Sequence, residues 1–147
     1  SETAHQKPAF RTSFKKYRCL IPANGFFEWD KKTKQPIYFT IKQEPMFSFA
    51  GLYSVWNRDE EEDLYSCTIL TGKPNDLVAR FHHRAPIILH EEDYKTWLDP
   101  EYEDKENLIN MLRPFPPEEM EAFRVSKRVN KAQNNDPDLI KPQETFP

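Results

Sequence analysis

The chain is poor in glycine and cysteine, and it contains no long apolar run. Its 147 residues include 3 glycines and 2 cysteines, against 13 prolines. This balance indicates rigid turns and few flexible hinges. No apolar stretch approaches the roughly 18 residues of a membrane-spanning helix, and no basic start followed by an apolar stretch marks a secretory signal. We therefore expect no membrane partner.

The two cysteines, Cys19 and Cys67, both lie in apolar segments with the character of strands. Neither has the CxxC or Cys/His spacing of a metal site. The 4 histidines are not accompanied by a carboxylate cluster of suitable spacing. We therefore expect reduced, buried thiols and no metal ion or other cofactor.

Charge is distributed unevenly along the chain. A net charge of −3 and a pI of about 5.8 argue mildly against a dedicated DNA-binding protein. However, residues 7–18 include five basic residues and no acidic one, whereas acids concentrate in 59–63 and 101–106. A local basic patch with acidic flanks is compatible with binding a short single strand. The basic residues are Lys7, Arg11, Lys15, Lys16 and Arg18.

Hydrophobic periodicity predicts a helix over residues 7–18. Phe10, Phe14 and Tyr17 recur at helical spacing and are expected to face the core. Arg11, Lys15 and Arg18 recur with the same spacing and form a neighbouring cationic stripe. A solvated helix face is the alternative interpretation of that stripe.

The rest of the chain shows several short strands and few helices, which indicates an α+β, β-rich domain. Strands are predicted over 18–21, 26–29, 36–41, 47–56, 64–70, 85–89 and 123–126, with an Asn-Gly turn at 22–25 and a solvated loop at 59–63. Helices or helical turns are predicted over 74–79, 91–98, 103–112 and 118–122, and the tail beyond Asn130 is expected to be irregular.

Glu28 is the most informative single residue, because it lies between Phe27 and Trp29 in an apolar strand. Desolvation disfavours a charged carboxylate, so its pKa is expected to rise toward the range that suits proton transfer. Side-chain alternation places Glu28 on the same face as Phe26 and on the opposite face from Trp29. The alternative is an edge-strand Glu that faces water between two core aromatics.

The run His82-His83-Arg84 comes between a polar helical turn and a buried strand, where catalytic loops often lie. Adjacent histidines on an extended chain point apart, so they are poorly placed to bind one metal ion. A pair of surface histidines without a function is the alternative.

Four ordered blocks resemble the SOS-response-associated peptidase family, whose SRAP-domain members recognise abasic sites in single-stranded DNA. The blocks are RCLIPANGFFEW at 18–29, FSFAGLYSVW at 47–56, CTILT at 67–71 and FHHRAPIIL at 81–89. Their order and spacing follow the family over nearly the whole chain. The resemblance implies a SRAP-type single domain over residues 1–147, with an open barrel-like sheet and few short helices.

The start of the chain departs from the family pattern. Family members begin Met-Cys-Gly-Arg, and the Cys exposed by Met removal is the nucleophile. This chain begins Ser1-Glu2-Thr3, which resembles the point just after the family's Asn-Ala-Arg motif. We therefore expect the C-terminal two-thirds of the domain without its nucleophile, and neither Ser1, Cys19 nor Cys67 is a credible substitute.

The resemblance assigns roles to individual residues. Glu28 corresponds to the family's catalytic Glu and His82 to its catalytic His. Arg84 corresponds to a phosphate-contacting Arg, and Trp29 lies beside the DNA path. Apart from the resemblance, Arg11 is a candidate for phosphate contact because of its charge.

Other residues near these positions have weaker assignments. His83 stands where the family usually has an acidic or amide side chain, which bears on the hydrogen bonds that orient the pair. Lys127 and Arg128 are lesser candidates for DNA contact. Ser126, Asn130 and Asn134 are interpreted as residues that brace loops.

The implied chemistry is covalent. The amine and thiol of the N-terminal Cys combine with the ring-opened aldehyde of an abasic site to give a stable thiazolidine cross-link, which shields the damaged strand. Glu28 would carry the proton transfers at the nucleophile and the removal of the initiator Met, and His82 would assist at the sugar oxygen. The whole protein is thus expected to have peptidase and lyase-like activity in the DNA damage response, and this chain alone to be inactive in cross-linking.

Two other function classes remain open. One is a non-catalytic single-stranded nucleic-acid-binding module on the same scaffold. The other is a hydrolase that uses Glu28 and His82 on a different substrate. A purely structural role leaves the four blocks unexplained. If the function is the one that the family resemblance implies, we expect a monomer located in the cytoplasm with the nucleoid, or in the nucleus of a eukaryote.

Overall fold

The computed structural model describes residues 8–56 and 63–145, with side chains described for 11–56 and 63–143. The chain divides into two compact units. The first unit draws on Ser1–Pro22, Ser48–Lys73 and Pro86–Phe115, and the second on Ala23–Phe47, Pro74–Ala85 and Pro116–Pro147. The solvated loop predicted at 59–63 lies almost wholly outside the described residues, as does the side chain of Phe10.

The described residues contain mainly short strands and a few short helices, so the predicted α+β, β-rich class is confirmed, without a closed barrel in that part of the chain. The strands are β1 (Arg18–Ala23), β2 (Phe26–Trp29), β3 (Pro36–Ile41), β4 (Phe47–Trp56), β5 (Leu64–Ile69), β6 (Thr71–Gly72), β7 (Ala85–Pro86), β8 (Met120–Arg124) and β9 (Glu144–Thr145). The α-helices are α1 (Pro8–Lys16), α2 (Asp76–Ala79), α3 (Tyr94–Leu98) and α4 (Lys105–Asn110). The 3₁₀ helices are Glu91–Asp93, Pro117–Glu119, Lys127–Asn130 and Pro137–Ile140.

A sheet with the strand order β1-β4-β5 is the frame of the first unit. Strands β4 and β5 pair antiparallel, from Gly51 opposite Ile69 to Trp56 opposite Leu64. The first six residues of β4 are buried, whereas all of β5 is exposed. The core of this unit gathers ten buried side chains, namely Phe14, Ala50, Leu52, Leu70, Ile87, Leu89, Trp97, Leu108, Met111 and Leu112.

Arg18 is buried in the first unit instead of joining the cationic stripe that the sequence predicts. Only 5% of its surface is exposed. Its guanidinium and Nε donate to backbone carbonyl oxygens at the end of α1 and in the chain around α3, namely those of Phe14, Lys15, Trp97, Asp99 and Tyr102. Burial lowers the pKa of Arg18, while the nearby Asp99 charge opposes that shift. Arg18 therefore holds the backbone together, and the predicted stripe loses one of its members.

The second unit is built on a sheet with the strand order β2-β3-β8-β9, in which every pair of neighbours is antiparallel. β3 is buried at five of its six positions, as expected for a central strand. Pro36 opens β3, a position that suits a residue without a backbone N–H. On one face of this sheet Tyr38, Phe123 and Val125 form a buried cluster, with Phe27, Val129 and Ile140 packed against it.

The Asn24-Gly25 turn does not close a hairpin, because β1 and β2 belong to different sheets. Gly25 has no positive φ, so it is not there for a left-handed turn. Glycine is required at this position because Tyr38 and the backbone of Phe39 lie close to its Cα. A Cβ at this position would lie 2.1 Å from Tyr38 Cζ and 2.6 Å from the Phe39 carbonyl oxygen. Tyr38 is itself fixed, because its hydroxyl hydrogen-bonds the Asn24 side chain at 3.1 Å.

Gly25→Ala is therefore expected to destabilise the protein by about 1–3 kcal/mol, the usual range for overpacking. Urea unfolding followed by circular dichroism measures the change. Lys32→Ala, at an exposed position in the next turn, is the control and is expected to stay within about 0.5 kcal/mol of the parent. A Gly25→Ala variant as stable as the parent would show that Tyr38 shifts without penalty.

Several local predictions are wrong for identifiable reasons. Tyr17 lies just beyond the end of α1, is 40% exposed and packs edge-on against Tyr53 instead of entering the core. Cys67 is exposed on β5, and Cys19 is half-buried, where burial raises the pKa of its thiol. Neither Cys19 nor Cys67 forms a disulfide bond in the described part of the chain.

Strand boundaries also differ from the sequence pattern. Residues 85–89 are mostly buried as predicted, but only Ala85–Pro86 form a strand, and Ile88 makes a single bridge to Phe49. β8 begins at Met120, within the predicted helical turn at 118–122. The tail contributes β9, which pairs with β8 at Phe123 and Arg124. Within the described ranges, no helix combines the length and apolar character needed to cross a bilayer.

Candidate acid–base site

Glu28 lies on β2, the outer strand of the second unit's sheet, opposite Ile37 of β3. Its side chain is 21% exposed, so the carboxylate is partly desolvated without being sealed off. The alternation predicted for β2 holds. Glu28 and Phe26 share one face of the strand, whereas Trp29 is on the other face with Phe27, whose ring packs on Tyr38 at 5.0 Å.

A row of three aromatic rings brings the His82 loop to Glu28. Phe26 stacks on Phe39 of the neighbouring strand with ring centroids 5.0 Å apart, and Phe39 packs edge-on against Phe81 at 5.7 Å. Phe81 is 5% exposed and immediately precedes His82. Since Phe26 and Glu28 are on the same face, anchoring Phe81 on this row places His82 beside the carboxylate.

His82 is fixed by the backbone of its own loop. Its amide N–H donates to the Val78 carbonyl oxygen of α2 at 3.0 Å. The ring Nδ1 lies 2.9 Å from the Arg84 carbonyl oxygen and 3.2 Å from the Arg84 amide nitrogen. Nδ1 is also 3.8 Å from Glu28 Oε1, an ion-pair distance longer than a hydrogen bond.

These contacts are compatible with either neutral tautomer of the His82 ring. With a proton on Nδ1 the ring donates to the Arg84 carbonyl oxygen, and with a lone pair on Nδ1 it accepts from the Arg84 amide. In both tautomers the ring stays anchored through Nδ1. Nε2 has no protein hydrogen-bond partner in the described part of the chain, and the side chain is 37% exposed. Nε2 is therefore able to accept or donate a proton toward a bound molecule.

Partial burial raises the pKa of the Glu28 carboxyl above its ordinary value, and the nearby His82 charge works in the opposite direction. A raised pKa means that the folded state holds the proton more tightly than the unfolded chain does. The contribution of Glu28 to stability is thus most favourable at pH values below the ordinary Glu pKa, and it is lost as the pH rises through the folded pKa.

Glu28→Gln is therefore expected to raise the melting temperature at pH 7, because the variant no longer holds a partly desolvated charge. The gain is expected to disappear below about pH 4, where the parent carboxyl is protonated. Scanning calorimetry at both pH values measures this, with the exposed Glu44→Gln as the control. A Glu28→Gln variant that melts lower than the parent at pH 7 would mean that attraction to His82 outweighs desolvation.

Trp29 is held on the opposite face of β2 by a residue distant in sequence. Its indole Nε1 donates to Asn130 Oδ1 at 2.7 Å, although the side chain is 40% exposed. Asn130 ends a 3₁₀ helix whose first turn is capped by the Ser126 hydroxyl. An exposed indole in one fixed orientation presents a flat apolar surface to which a base can stack.

The structure brings together some of the predicted site residues and separates others. Glu28, His82 and the backbone of Arg84 form one cluster. The Arg84 side chain is half-buried. Trp29 is adjacent to Glu28 along the chain but faces away from it. Arg11 is exposed on α1 and belongs to the first unit. His83 is exposed, with its ring 4.4 Å from that of His82.

The residues around the 3₁₀ helix Lys127–Asn130 are engaged with one another. Arg128 pairs with Asp136 at 2.7 Å, and Asn134 donates to the Arg128 carbonyl oxygen at 2.7 Å. These contacts brace the loop, which agrees with the interpretation of Asn134 and Ser126. The Trp29–Asn130 hydrogen bond was not predicted, because no local pattern joins positions 101 residues apart.

Comparisons with known proteins identify the family of this chain. The family model described as SOS response associated peptidase (SRAP) matches residues 1–132. Abasic site processing protein YoqW of Bacillus subtilis is 46% identical over 143 residues, which cover 95% of this chain and 64% of that protein. Abasic site processing protein HMCES of Xenopus tropicalis is 29% identical over 162 residues, covering 95% of this chain and 48% of that protein.

A crystal structure of a protein from Bacteroides thetaiotaomicron matches the fold with a TM-score of 0.88 at 35% identity, covering 96% of this chain and 63% of that one. The molecule is thus an α+β sheet protein with a carboxylate and an imidazole side by side at a sheet edge. It belongs to the SRAP family. The chain spans about two-thirds of the length of YoqW, at 64%.

Proposed function

We propose that the protein containing this chain processes abasic sites in single-stranded DNA, with Glu28 and His82 as its acid–base pair. The observation that carries the proposal is the 3.8 Å separation of Glu28 Oε1 and His82 Nδ1 in a partly open site. Relatives that match nearly the whole chain are named abasic site processing proteins. No group of three or more potential metal ligands is found within the described residues.

The proposed reaction is the condensation of an N-terminal Cys with the aldehyde of a ring-opened abasic sugar. The amine attacks the carbonyl carbon and water leaves, giving an imine. The thiol then adds to the imine carbon and its proton passes to nitrogen, which closes a thiazolidine ring. Overall, amine, thiol and aldehyde give the ring and one water molecule.

Each step of this reaction moves a proton, and we assign different transfers to the two site residues. Glu28, with a raised pKa, accepts and returns the protons of the amine and thiol. His82, anchored through Nδ1, presents Nε2 to the sugar oxygen whose protonation opens the ring. The same carboxylate serves to activate water for the removal of an initiator Met that precedes the Cys.

Arg84, Trp29 and Arg11 are proposed to contact the DNA. Arg84 follows His82 in the same loop and is suited to hold a flanking phosphate. The exposed indole of Trp29 offers a stacking surface. Arg11 lies on a helix with further exposed cations, which attract the phosphate backbone.

The experiment that tests the proposal compares this chain with a version extended upstream to a Met-Cys start. Both are incubated with single-stranded DNA that holds one abasic site and are analysed on a denaturing gel. A heat-stable shifted band is expected with the extended protein alone and is expected to vanish when its Cys is replaced by Ser. Binding without a covalent band in either protein would favour a non-catalytic nucleic-acid-binding module.

The Trp29–Asn130 hydrogen bond gives a separate prediction for DNA affinity. Trp29→Ala is expected to weaken binding of an intact single strand by about 1–3 kcal/mol, the worth of one stacked base. Asn130→Ala is expected to weaken it by about 0.5–1.5 kcal/mol, because the ring remains but loses the bond that orients it. Asn134→Ala is the matched control, and fluorescence anisotropy measures all three. Equal effects of Asn130→Ala and Asn134→Ala would contradict an orienting role.

A further inference from the structure

We propose that a small cavity between α1 and α4, named here the α1–α4 pocket, binds one nucleotide of single-stranded DNA away from the abasic site, the base inside and its phosphate at the rim. The inference adds a second contact to the proposed function and does not depend on the chemistry of Glu28 and His82. The pocket lies wholly within the first unit.

The floor of the pocket is apolar and its size suits one ring system. Phe14 and Leu108 line it and are 2% and 3% exposed. Its volume is about 130 Å³, room for about four waters at roughly 30 Å³ each, and well below the roughly 300 Å³ at which pockets for drug-sized ligands begin. A flat base fits such a space, whereas a folded peptide segment or a larger cofactor does not.

The rim carries cations from two helices. Arg11 and Lys15 lie one turn apart on the face of α1 that includes Phe14, and Lys105 is the first residue of α4. All three are exposed, and none forms an ion pair within the described residues. Glu103 is the single acid on the rim. The rim therefore has an excess of positive charge that an anion would neutralise.

The wall of the pocket is formed before any ligand binds. The Tyr102 hydroxyl accepts a hydrogen bond from the Asn107 side chain at 2.6 Å, and the Tyr102 carbonyl oxygen accepts one from Arg18 at 3.3 Å. Arg18 also lines the pocket, but its donors are occupied by backbone carbonyls. A fixed wall lowers the ordering that binding requires, and it leaves the three rim cations as the groups that hold the phosphate.

An apolar slot for one ring with cations at its mouth matches a nucleotide, in which a flat base is joined to an anionic phosphate. The same chemistry is offered by a free nucleoside monophosphate and by one unit of a DNA strand. The strand is the occupant proposed here, because Lys16 continues the basic run along α1 beyond the pocket. At that position Lys16 is suited to contact the phosphate of a neighbouring nucleotide, which a strand has and a monophosphate lacks.

The test uses the full chain and an oligothymidylate without an abasic site, so that it reports on this pocket and not on cross-linking. Lys15→Gln and Lys105→Gln are each expected to weaken binding several-fold and to reduce the slope of log K against log salt by about 0.7. Lys95→Gln removes the same charge from α3 of the same unit, at an exposed position outside the pocket lining. It is expected to weaken binding less than two-fold at physiological salt.

Two further measurements test the rim charge and the location of the base. Glu103→Gln is expected to tighten binding, because it removes the one acid at the rim. Amide chemical shifts titrated with thymidine monophosphate are expected to move in α1 and α4. Equal losses for Lys15→Gln and Lys95→Gln, or the absence of shifts in α1 and α4, would overturn the pocket as a binding site. Binding of the monophosphate without any effect of Lys15→Gln on the oligonucleotide would overturn the DNA strand as its occupant.

Discussion

Glu28→Gln is expected to slow formation of the proposed DNA–protein cross-link by about 10²–10⁴-fold in a version of the protein extended upstream to a Met-Cys start, the range that general acid–base groups contribute. The amide has nearly the same shape as the carboxylate but accepts no proton from the amine or thiol. Glu28 is 21% exposed, so the replacement is accommodated without repacking a core. The rate is measured under single-turnover conditions on denaturing gels, with excess protein over abasic DNA.

The pH dependence distinguishes loss of a base from loss of binding. In the proposed role Glu28 takes the nucleophile's proton, which requires an ionised carboxylate, and its pKa is raised by partial burial. The rate of the parent is therefore expected to fall on the acid side with an inflection above the ordinary Glu value of about 4.3. Glu28→Gln is expected to lose that inflection, while Glu44→Gln, at an exposed turn position, keeps the parent profile.

A variant of His82 tests the other member of the proposed acid–base pair. His82→Gln is expected to slow the reaction by about 10²-fold or more. Because the proposed function assigns the two residues to different proton transfers, the double variant is expected to be no slower than the slower single variant by more than a small factor. Rate losses that multiply would show that the two residues contribute independently to one rate-limiting transition state. A Glu28→Gln protein with the parent rate would remove Glu28 from the mechanism.

Elements with a clear local pattern are the part of the fold that the sequence predicts well. The alternation in β2 and the helical turn at 74–79, part of which forms α2, depend on neighbours within a few residues. Pairing between distant segments is different. The short strand β9 has no recognisable periodicity and is defined only by its hydrogen bonds to β8.

In the candidate site, too, local pattern predicts the faces of a strand but not the contacts between distant segments. Periodicity places Glu28 and Trp29 on opposite faces of one strand, but it does not indicate which loop meets either face. The resemblance to the family paired Glu28 with His82. The physical cause of that pairing is the row of Phe26, Phe39 and Phe81, whose rings come from three separate segments.

Arg18 is the residue for which local pattern and structure disagree most. Its helical spacing from Arg11 and Lys15 predicts a solvent-facing cation. However, α1 ends at Lys16, so Arg18 begins β1 and its side chain turns inward to the carbonyl oxygens. The positive charge is compatible with burial because charged donors form strong hydrogen bonds with carbonyls.

Arg18→Met is expected to destabilise the protein by at least about 3 kcal/mol, since several carbonyl oxygens lose their donor and buried unsatisfied groups cost about 1–3 kcal/mol each. For a chain of this size that corresponds to a fall in melting temperature of about 6–12 °C. Methionine keeps most of the side-chain volume, so the loss reports on hydrogen bonding more than on packing. Calorimetry and urea unfolding both measure it.

Two matched variants decide whether the geometry of the guanidinium matters or only its charge. Arg18→Lys keeps the charge but offers one compact ammonium in place of a planar fork, so it is expected to recover only part of the stability. Arg11→Gln removes a charge from the same stretch at an exposed position and is expected to change stability by no more than about 0.5 kcal/mol. If Arg18→Lys were as stable as the parent, charge alone would suffice. If Arg18→Met were as stable as Arg11→Gln, the carbonyl oxygens would have to find other donors, and Arg18 would not hold α1 to the chain around α3.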